Sequence, residues 1–202
     1  MKFIGITGGV GAGKTEILNY LSAQDGIKVM LADEIAHDLM EKGTKCNLKL
    51  QELFKEDAVF DAEGNINRNR MAEVIFSDEK KREALNLIVH PAVKEYVTEV
   101  AKKEKEAGKL RILVLEAALL IEEGYDKICD ELWYIYTSEE NRKIRLMKNR
   151  GYSEEKVRNI FESQLKEEEY RRFCKIVIDN NGTKDETLRQ VAEVINRKEY
   201  FA

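Results

Sequence analysis

The chain has 202 residues, of which 43% are hydrophobic and 36% are charged, and its formal net charge is −4. This length suits one domain with insertions, and this composition indicates a globular protein rich in amphipathic helices. A net negative charge argues against a protein that binds nucleic acid through phosphate contacts, but it allows a small anionic ligand. Three scattered cysteines, no long apolar run and no signal-peptide layout predict a cytoplasmic protein with free thiols and no membrane partner.

Apolar runs that predict β-strands occur five times along the chain. Near-continuous apolar runs are typical of strands covered on both faces of a sheet. Helical patterns separate them, and this alternation predicts an α/β fold with a five-stranded parallel sheet flanked by helices. The predicted strands are residues 2–7, 27–31, 111–116, 131–137 and 175–179, and the predicted helices are residues 14–23, 82–107, 141–148, 154–173 and 184–197.

Two stretches between predicted strands are too long or too helical to be simple crossovers. Residues 34–107 are predicted to form an inserted helical subdomain, and residues 139–172 a smaller, partly basic excursion. The core is then predicted to consist of residues 1–33, 108–138 and 173–202. Pro91, the only proline in the chain, predicts a break in the long helix of the insertion, directly after His90.

The most specific motif is GGVGAGKT, residues 8–15, which lies between the first predicted strand and the first predicted helix. It fits the pattern G-x-x-x-x-G-K-[ST], in which glycines let successive backbone N–H groups surround a phosphate at a helix N-terminus. The lysine is expected to reach the outer phosphates, and the threonine hydroxyl to bind Mg²⁺. The sequence therefore predicts a site for ATP and Mg²⁺, formed by Gly8, Gly9, Val10, Gly11, Ala12, Gly13, Lys14, Thr15 and Glu16.

Asp33 comes directly after the second predicted strand, at the sheet edge where open α/β proteins bind ligands. A carboxylate there can accept a proton from an attacking hydroxyl group. The alternative is that Asp33 caps the helix that follows, because Asp is a favoured N-cap residue. No guanine-reading N-K-x-D motif is present, so the small size and two helical excursions favour a small-molecule kinase over a GTPase switch.

Six segments in order resemble the dephospho-coenzyme A kinase family, and together they span almost the whole chain. The resemblance implies a P-loop kinase fold with an acceptor domain within residues 34–107 and a lid within residues 139–172. It also implies transfer of the ATP γ-phosphate to the ribose 3′-hydroxyl of dephospho-coenzyme A, the last step of coenzyme A synthesis. The segments are IGITGGVGAGKT, LADEIAH, NRNRMAEVIF with LNLIVHPAV, LEAALLIEEGYD, IRLMKNRGYSEEKV with the SQ at residues 163–164, and KIVIDNNGT.

The same resemblance assigns roles to individual residues. It implies that Asp33 is the base, with Lys14, Arg145 and Arg150 acting on the transferred phosphate, while Thr15 and Glu116 serve the metal. Contacts to the acceptor are implied for Asp33, Arg68, His90 and Glu122. His90 could equally hold the helix break, Arg68 could be a solvated helix residue, and Glu116 could cap the segment after its strand.

The sequence departs from the family pattern at two positions that bear on these roles. Leu31 stands where the family usually has a first aspartate, so Asp33 acts alone or shares the metal shell with Glu116. In the lid, the order NRG displaces Arg150 by one position, whereas Arg145 keeps its place. A nucleoside or nucleoside-monophosphate kinase, or a non-catalytic nucleotide-binding regulator, are the alternatives that the motifs leave open.

Overall fold

The fold is built around a five-stranded parallel sheet, and the computed structural model describes residues 1–201 apart from the Glu199 side chain. The strands are β1 (Lys2–Thr7), β2 (Ile27–Leu31), β3 (Ile112–Glu116), β4 (Glu131–Tyr136) and β5 (Ile176–Asp179). The helices are α1 (Lys14–Ser22), α2 (Ala32–Leu39), α3 (Lys45–Leu53), α4 (Arg68–Ser77), α5 (Glu79–Ala107), α6 (Glu139–Arg150), α7 (Glu154–Glu162), α8 (Glu167–Phe173) and α9 (Lys184–Ile195). Short 3₁₀ turns cover Tyr125–Lys127 and Lys198–Tyr200.

The strand order in the sheet is β2-β3-β1-β4-β5, which places β1 in the centre. Ile6 of β1 is in register with Glu116 of β3 and with Trp133 of β4. The residues of β1, β3 and β4 are almost all buried, as near-continuous apolar strands require. All five predicted strands are thus confirmed to within one residue at either end. The loop after β1 emerges between the ends of β3 and β4.

The chain divides into two compact units. The first contains residues 1–30 and the described residues from Ala101 onward, and it holds most of the sheet together with α1 and α6–α9. The second, Leu31–Val100, is helical and contains α2, α3, α4 and most of α5.

Two helix predictions were wrong in detail. The helix predicted over residues 154–173 is two helices, because the chain leaves α7 at Ser163 and restarts at α8. The restart is stabilised by the Glu169 carboxylate, which accepts a hydrogen bond from the Lys166 backbone N–H over 3.1 Å. The break predicted at Pro91 is also wrong, since α5 runs unbroken from Glu79 to Ala107 with this proline inside it.

A buried carboxylate ties the chain near Tyr200 to the start of β4. Glu131 is 5% exposed and accepts hydrogen bonds from the Trp133 indole N–H over 2.9 Å and from the Tyr200 hydroxyl. The rings of Trp133 and Tyr200 meet edge to face, with centroids 6.2 Å apart. Burial by itself would raise the pKa of Glu131. The two hydrogen bonds, with Lys2 and Lys175 nearby, outweigh burial and hold this pKa below its ordinary value.

The three cysteines are buried and unpaired. Burial raises the thiol pKa of Cys129 and of Cys174 to about 12, and it also raises that of Cys46. These thiols are therefore protonated at neutral pH and shielded from solvent.

Candidate active site

The loop between β1 and α1 presents backbone N–H groups at the N-terminus of α1. Gly13 is the N-cap residue, with φ +86° and ψ 24°, a left-handed conformation that favours glycine. No side chain accepts a hydrogen bond at this cap. The first N–H groups of a helix have no partner within the helix, so this end can accept an anion such as a phosphate.

Lys14 and Glu116 meet beside this loop. The Lys14 ammonium donates a hydrogen bond to the Gly8 carbonyl oxygen over 2.7 Å and lies 3.4 Å from Glu116 Oε1. The two side chains are only 17% and 16% exposed. Because β3 is the direct neighbour of β1, the end of β3 delivers Glu116 to the loop. The structure thus brings together two residues that the sequence placed in one site.

Helix α6 lies along the other side of the loop. The Arg145 guanidinium donates to the Asn180 carbonyl oxygen over 2.6 Å and, more weakly, to the Ala12 carbonyl oxygen over 3.4 Å. The Ala12 carbonyl also accepts hydrogen bonds from the Thr137 hydroxyl at 3.0 Å and from the Asn180 amide at 2.6 Å. One loop carbonyl is therefore fixed by side chains from three separate segments of the chain.

A cavity of about 250 Å³ opens next to the loop on this side. The loop and α1 contribute Gly13, Glu16 and Ile17 to its wall. Helix α6 contributes Arg145, and the turn after β5 contributes Asn180. Glu16 is exposed and forms an ion pair with Lys184, which also lines the cavity. The cavity therefore shares Gly13 with the anion-binding end of α1.

Arg142, Gln164, Thr137 and Asn180 were missing from the predicted site. Asn180 follows β5 at the same sheet edge as the loop after β1, and that position was a signal that could have identified it. Thr137 similarly follows β4. Gln164 lies in the SQ that ends the lid segment of the family resemblance, and this was a signal. Arg142 carried none, because a basic helix is a common feature.

Magnesium chemistry at this loop requires few protein ligands. Mg²⁺ usually keeps several waters and takes one or two protein oxygens together with substrate phosphates. Thr15 is exposed at the start of α1, and the Glu116 carboxylate lies beside Lys14, so both oxygens are at the correct edge of the sheet. Within residues 1–201 no group of three or more metal-binding side chains was found, and this donor set fits a metal that is held largely by nucleotide.

In the helical unit, α2 carries Asp33 in its first turn. The N-cap of α2 is Leu31, and no side chain caps this helix, so the interpretation of Asp33 as a cap is wrong. The carboxylate is exposed and makes no hydrogen bond or ion pair with any residue that the structure describes. Its side chain is therefore open to a ligand, and the base role stays a prediction.

The helical unit also contains a cavity of about 270 Å³. Its wall is mostly apolar, and the polar residues that line it are His37, Glu41, Lys42, Asn65 and Arg68. Arg68 lies 3.4 Å from the Glu41 carboxylate, and both side chains are more than half exposed. The apolar lining comes from Met40, Ile66, Met71, Ala72, Ile75 and Leu85.

The other predicted site residues lie outside these two cavities. Arg150, at the end of α6, and Glu122 are both exposed, and neither forms a hydrogen bond or ion pair with another residue in the described part of the chain. His90 is half-buried inside α5 rather than at a break. The roles that the resemblance implies for Arg150, Glu122 and His90 stay predictions.

A phosphate-binding loop between the central strand and α1, on a five-stranded parallel sheet flanked by helices, defines the class of P-loop kinases. A crystal structure of a protein from Thermus thermophilus superposes on this chain with a TM-score of 0.77 at 29% identity, covering 96% of both chains. The dephospho-CoA kinase of Campylobacter jejuni shares the fold, with a TM-score of 0.74 at 22% identity over 96% of both chains.

This chain belongs to the dephospho-CoA kinase family. The model of that family matches residues 2–186. A dephospho-CoA kinase of Listeria monocytogenes is 35% identical over 196 residues, which cover 97% of this chain and 96% of the relative. Among the residues that the structure describes, no helix is long and apolar enough to cross a membrane.

Proposed function

We propose that this protein transfers the γ-phosphate of ATP to the ribose 3′-hydroxyl of dephospho-coenzyme A, giving coenzyme A and ADP. The observation that carries the proposal is the position of Lys14, which is held between a loop carbonyl and Glu116 at the N-terminus of α1. Membership of the dephospho-CoA kinase family supports the choice of acceptor.

The loop and Lys14 supply the charge that phosphoryl transfer requires. Negative charge spreads over the three oxygens of the moving group, so catalysis depends on positioning and on cations. The Gly8 carbonyl and Glu116 keep the Lys14 ammonium beside the loop, where it would contact the outer phosphates of bound ATP. When Mg²⁺ is bound, it offsets charge on the outer phosphates, and Thr15 and Glu116 would hold it.

The cavity beside Gly13 is proposed to hold the nucleoside part of ATP. Its volume of about 250 Å³ and its side-chain amide and guanidinium donors suit a purine ring with ribose. Arg145 is fixed there by the Asn180 carbonyl, so its planar guanidinium is available for stacking or hydrogen bonding.

The helical unit is proposed to hold the acceptor. Asp33 would accept or orient the proton of the attacking hydroxyl, because a ribose hydroxyl is a poor nucleophile without such help. In the 270 Å³ cavity, an apolar wall beside Arg68 and Lys42 suits a flexible arm that is attached to a diphosphate. The pantetheine diphosphate of dephospho-coenzyme A has this chemistry.

An ADP-release assay across four acceptors tests the proposal. Dephospho-coenzyme A, adenosine, AMP and shikimate are compared, and the product is identified by comparison with authentic coenzyme A. We expect ADP formation that depends on dephospho-coenzyme A and yields coenzyme A. Preference for AMP or adenosine would indicate a nucleotide or nucleoside kinase, and ATP binding without any acceptor-dependent turnover would indicate a regulator. Lys14→Ala, prepared in the same way, controls for contaminating kinases.

A further inference from the structure

Arg142 is a buried cation that lies against the phosphate-binding loop, and nothing in the proposed chemistry uses it. Arg142 is only 7% exposed, yet it forms no ion pair with a carboxylate in the part of the chain that the structure describes. Burying a charge without such a partner is costly, and burial lowers the pKa of the Arg142 guanidinium. A guanidinium nevertheless stays protonated in proteins, so the charge is present at the loop.

The contacts of Arg142 converge on one residue of the loop. Its Nε donates a hydrogen bond to the Val10 carbonyl oxygen over 2.9 Å, and its Nη2 donates to the Gln164 side-chain oxygen. That same Gln164 oxygen accepts a hydrogen bond from the Val10 backbone N–H over 3.3 Å. The N–H and the C=O of Val10 are therefore both held, one by Gln164 and the other by Arg142.

The chemistry of this arrangement fixes the orientation of each side chain. Two donors meet the Gln164 amide, so its oxygen and not its nitrogen must face them. The guanidinium carbon of Arg142 lies over the Phe161 ring, 4.3 Å from the ring centroid, and this cation–π contact further fixes the guanidinium. A Cβ atom on Gly9 would overlap the guanidinium, so contact with Arg142, and not a left-handed backbone, is the reason that this position needs glycine.

We propose that Arg142 and Gln164 form a clamp that positions the phosphate-binding loop by fixing the Val10 peptide groups. A loop that must direct its N–H groups at phosphates binds them well only when its conformation is already set, since ordering it on binding would cost free energy. Arg142 and Gln164 are thus positioning residues, and they attach α6 and the segment between α7 and α8 to the loop. The clamp concerns nucleotide binding and does not rest on the identity of the acceptor.

Two near-isosteric substitutions test the clamp. Arg142→Lys keeps the charge but cannot bridge Val10 and Gln164, and Gln164→Met removes the acceptor without changing net charge. The Kd of ATP is measured by calorimetry without acceptor, so the result is independent of whether dephospho-coenzyme A is the substrate. We expect each variant to raise the Kd of ATP roughly tenfold, the range for loss of a hydrogen bond to a charged group.

A double-mutant cycle and a kinetic comparison separate positioning from general stability. Because the two side chains share one contact, their effects on the Kd of ATP should be clearly less than additive in Arg142→Lys/Gln164→Met. In both variants the KM for the acceptor should stay within about twofold of wild type. Lys143→Met is the control, because Lys143 lies beside Arg142 but pairs with Glu154, and its Kd of ATP, KM and kcat should all stay within about twofold of wild type.

An unchanged Kd of ATP, strictly additive effects, or equal losses for both substrates with a lowered Tm would each overturn the proposal. Gln164 is only half-buried, so its variant remains informative if Arg142→Lys folds poorly.

Discussion

Arg145 and Asn180 hold each other in place at the nucleotide loop. Arg145 donates to the Asn180 backbone carbonyl over 2.6 Å, while the Asn180 side-chain amide donates to the Ala12 carbonyl over 2.6 Å. The guanidinium is therefore held by a main-chain carbonyl at the wall of the cavity beside Gly13. This geometry favours a contact with bound nucleotide over delivery to the transferred phosphate.

We expect Arg145→Ala to raise the Kd of ATP roughly tenfold and to lower kcat as well, because a fixed guanidinium contributes to ground-state binding. Calorimetry and single-turnover kinetics measure the two effects separately. Arg158→Ala, an exposed arginine on α7, is the matched control and should behave as wild type. If kcat falls while the Kd of ATP is unchanged, Arg145 acts on the transferred phosphate, as the family resemblance implies.

Lys14→Ala is expected to reduce kcat/KM for ATP by at least about a hundredfold, the scale for losing one preorganised group that stabilises transition-state charge. Lys28→Ala is the control, since Lys28 pairs over 2.6 Å with Glu104, at a site apart from the loop. Circular dichroism confirms that both variants fold. Near-normal turnover in folded Lys14→Ala would contradict the phosphate-binding role of the loop.

Asp33→Asn tests the base. Its carboxylate is exposed and does not cap α2, so the substitution should leave Tm almost unchanged. If Asp33 takes or orients the proton of the acceptor, kcat should fall by at least roughly a hundredfold. The adjacent Glu34→Gln, in the same helical turn, should keep wild-type kcat. A fully active Asp33→Asn would transfer the role to Glu116.

Arg68→Ala tests the acceptor cavity of the helical unit. Loss of a charge-assisted hydrogen bond to a diphosphate should raise the KM for dephospho-coenzyme A roughly tenfold and leave the KM for adenosine unchanged, because adenosine has no diphosphate. Arg70→Ala is a close control, since Arg70 lies two residues further along α4 and pairs with Glu73 at 3.0 Å. An equal effect on both acceptors would show that Arg68 does not contact the diphosphate.

Tyr200→Phe should lower the free energy of unfolding at pH 7 by about 1–3 kcal/mol, since the buried Glu131 carboxylate loses a hydrogen bond. The folded-state pKa of Glu131 lies below its unfolded value, so its stabilisation is complete above the unfolded pKa and is lost as pH falls through the folded one. The difference in the free energy of unfolding between Tyr200→Phe and wild type should therefore become smaller as the pH is lowered. Urea unfolding at several pH values measures it, with the exposed Tyr96→Phe as control. A difference that does not change with pH would show that the phenol does not stabilise the charged carboxylate.

The strands and the phosphate-binding loop were predictable because their signals are local. A buried strand needs a continuous apolar run, and the loop needs its glycines, lysine and threonine in a fixed order. The restart of α8 was not predictable from a breaker, because Ser163–Lys166 contains neither glycine nor proline. Pro91 led to the opposite error, because it predicted a helix break that the structure does not contain. A proline removes one N–H, yet the buried face formed by Val89, Val93 and Val97 continues through it.

The contacts of Arg142 could not be predicted from its neighbours in sequence. The carbonyl to which it donates is 132 positions away along the chain, and the segment NRKIR gives only the pattern of a basic helix. Lys14 and Glu116 are similarly distant, but Lys14 was marked by the loop motif and Glu116 by its position at a strand end. Residues that act through tertiary contacts alone become visible only in the folded protein.

The burial of the three cysteines has a consequence for a protein that is proposed to handle a thiol. Dephospho-coenzyme A and coenzyme A both end in a sulfhydryl group, and their oxidised forms exchange with protein thiolates to give mixed disulfides. Cys129 and Cys174, with thiol pKa values raised to about 12, offer almost no thiolate at neutral pH, and Cys46 is also buried. The folded protein is thus insulated from covalent capture by its own substrate and product, so that oxidised coenzyme A should label it only once it unfolds.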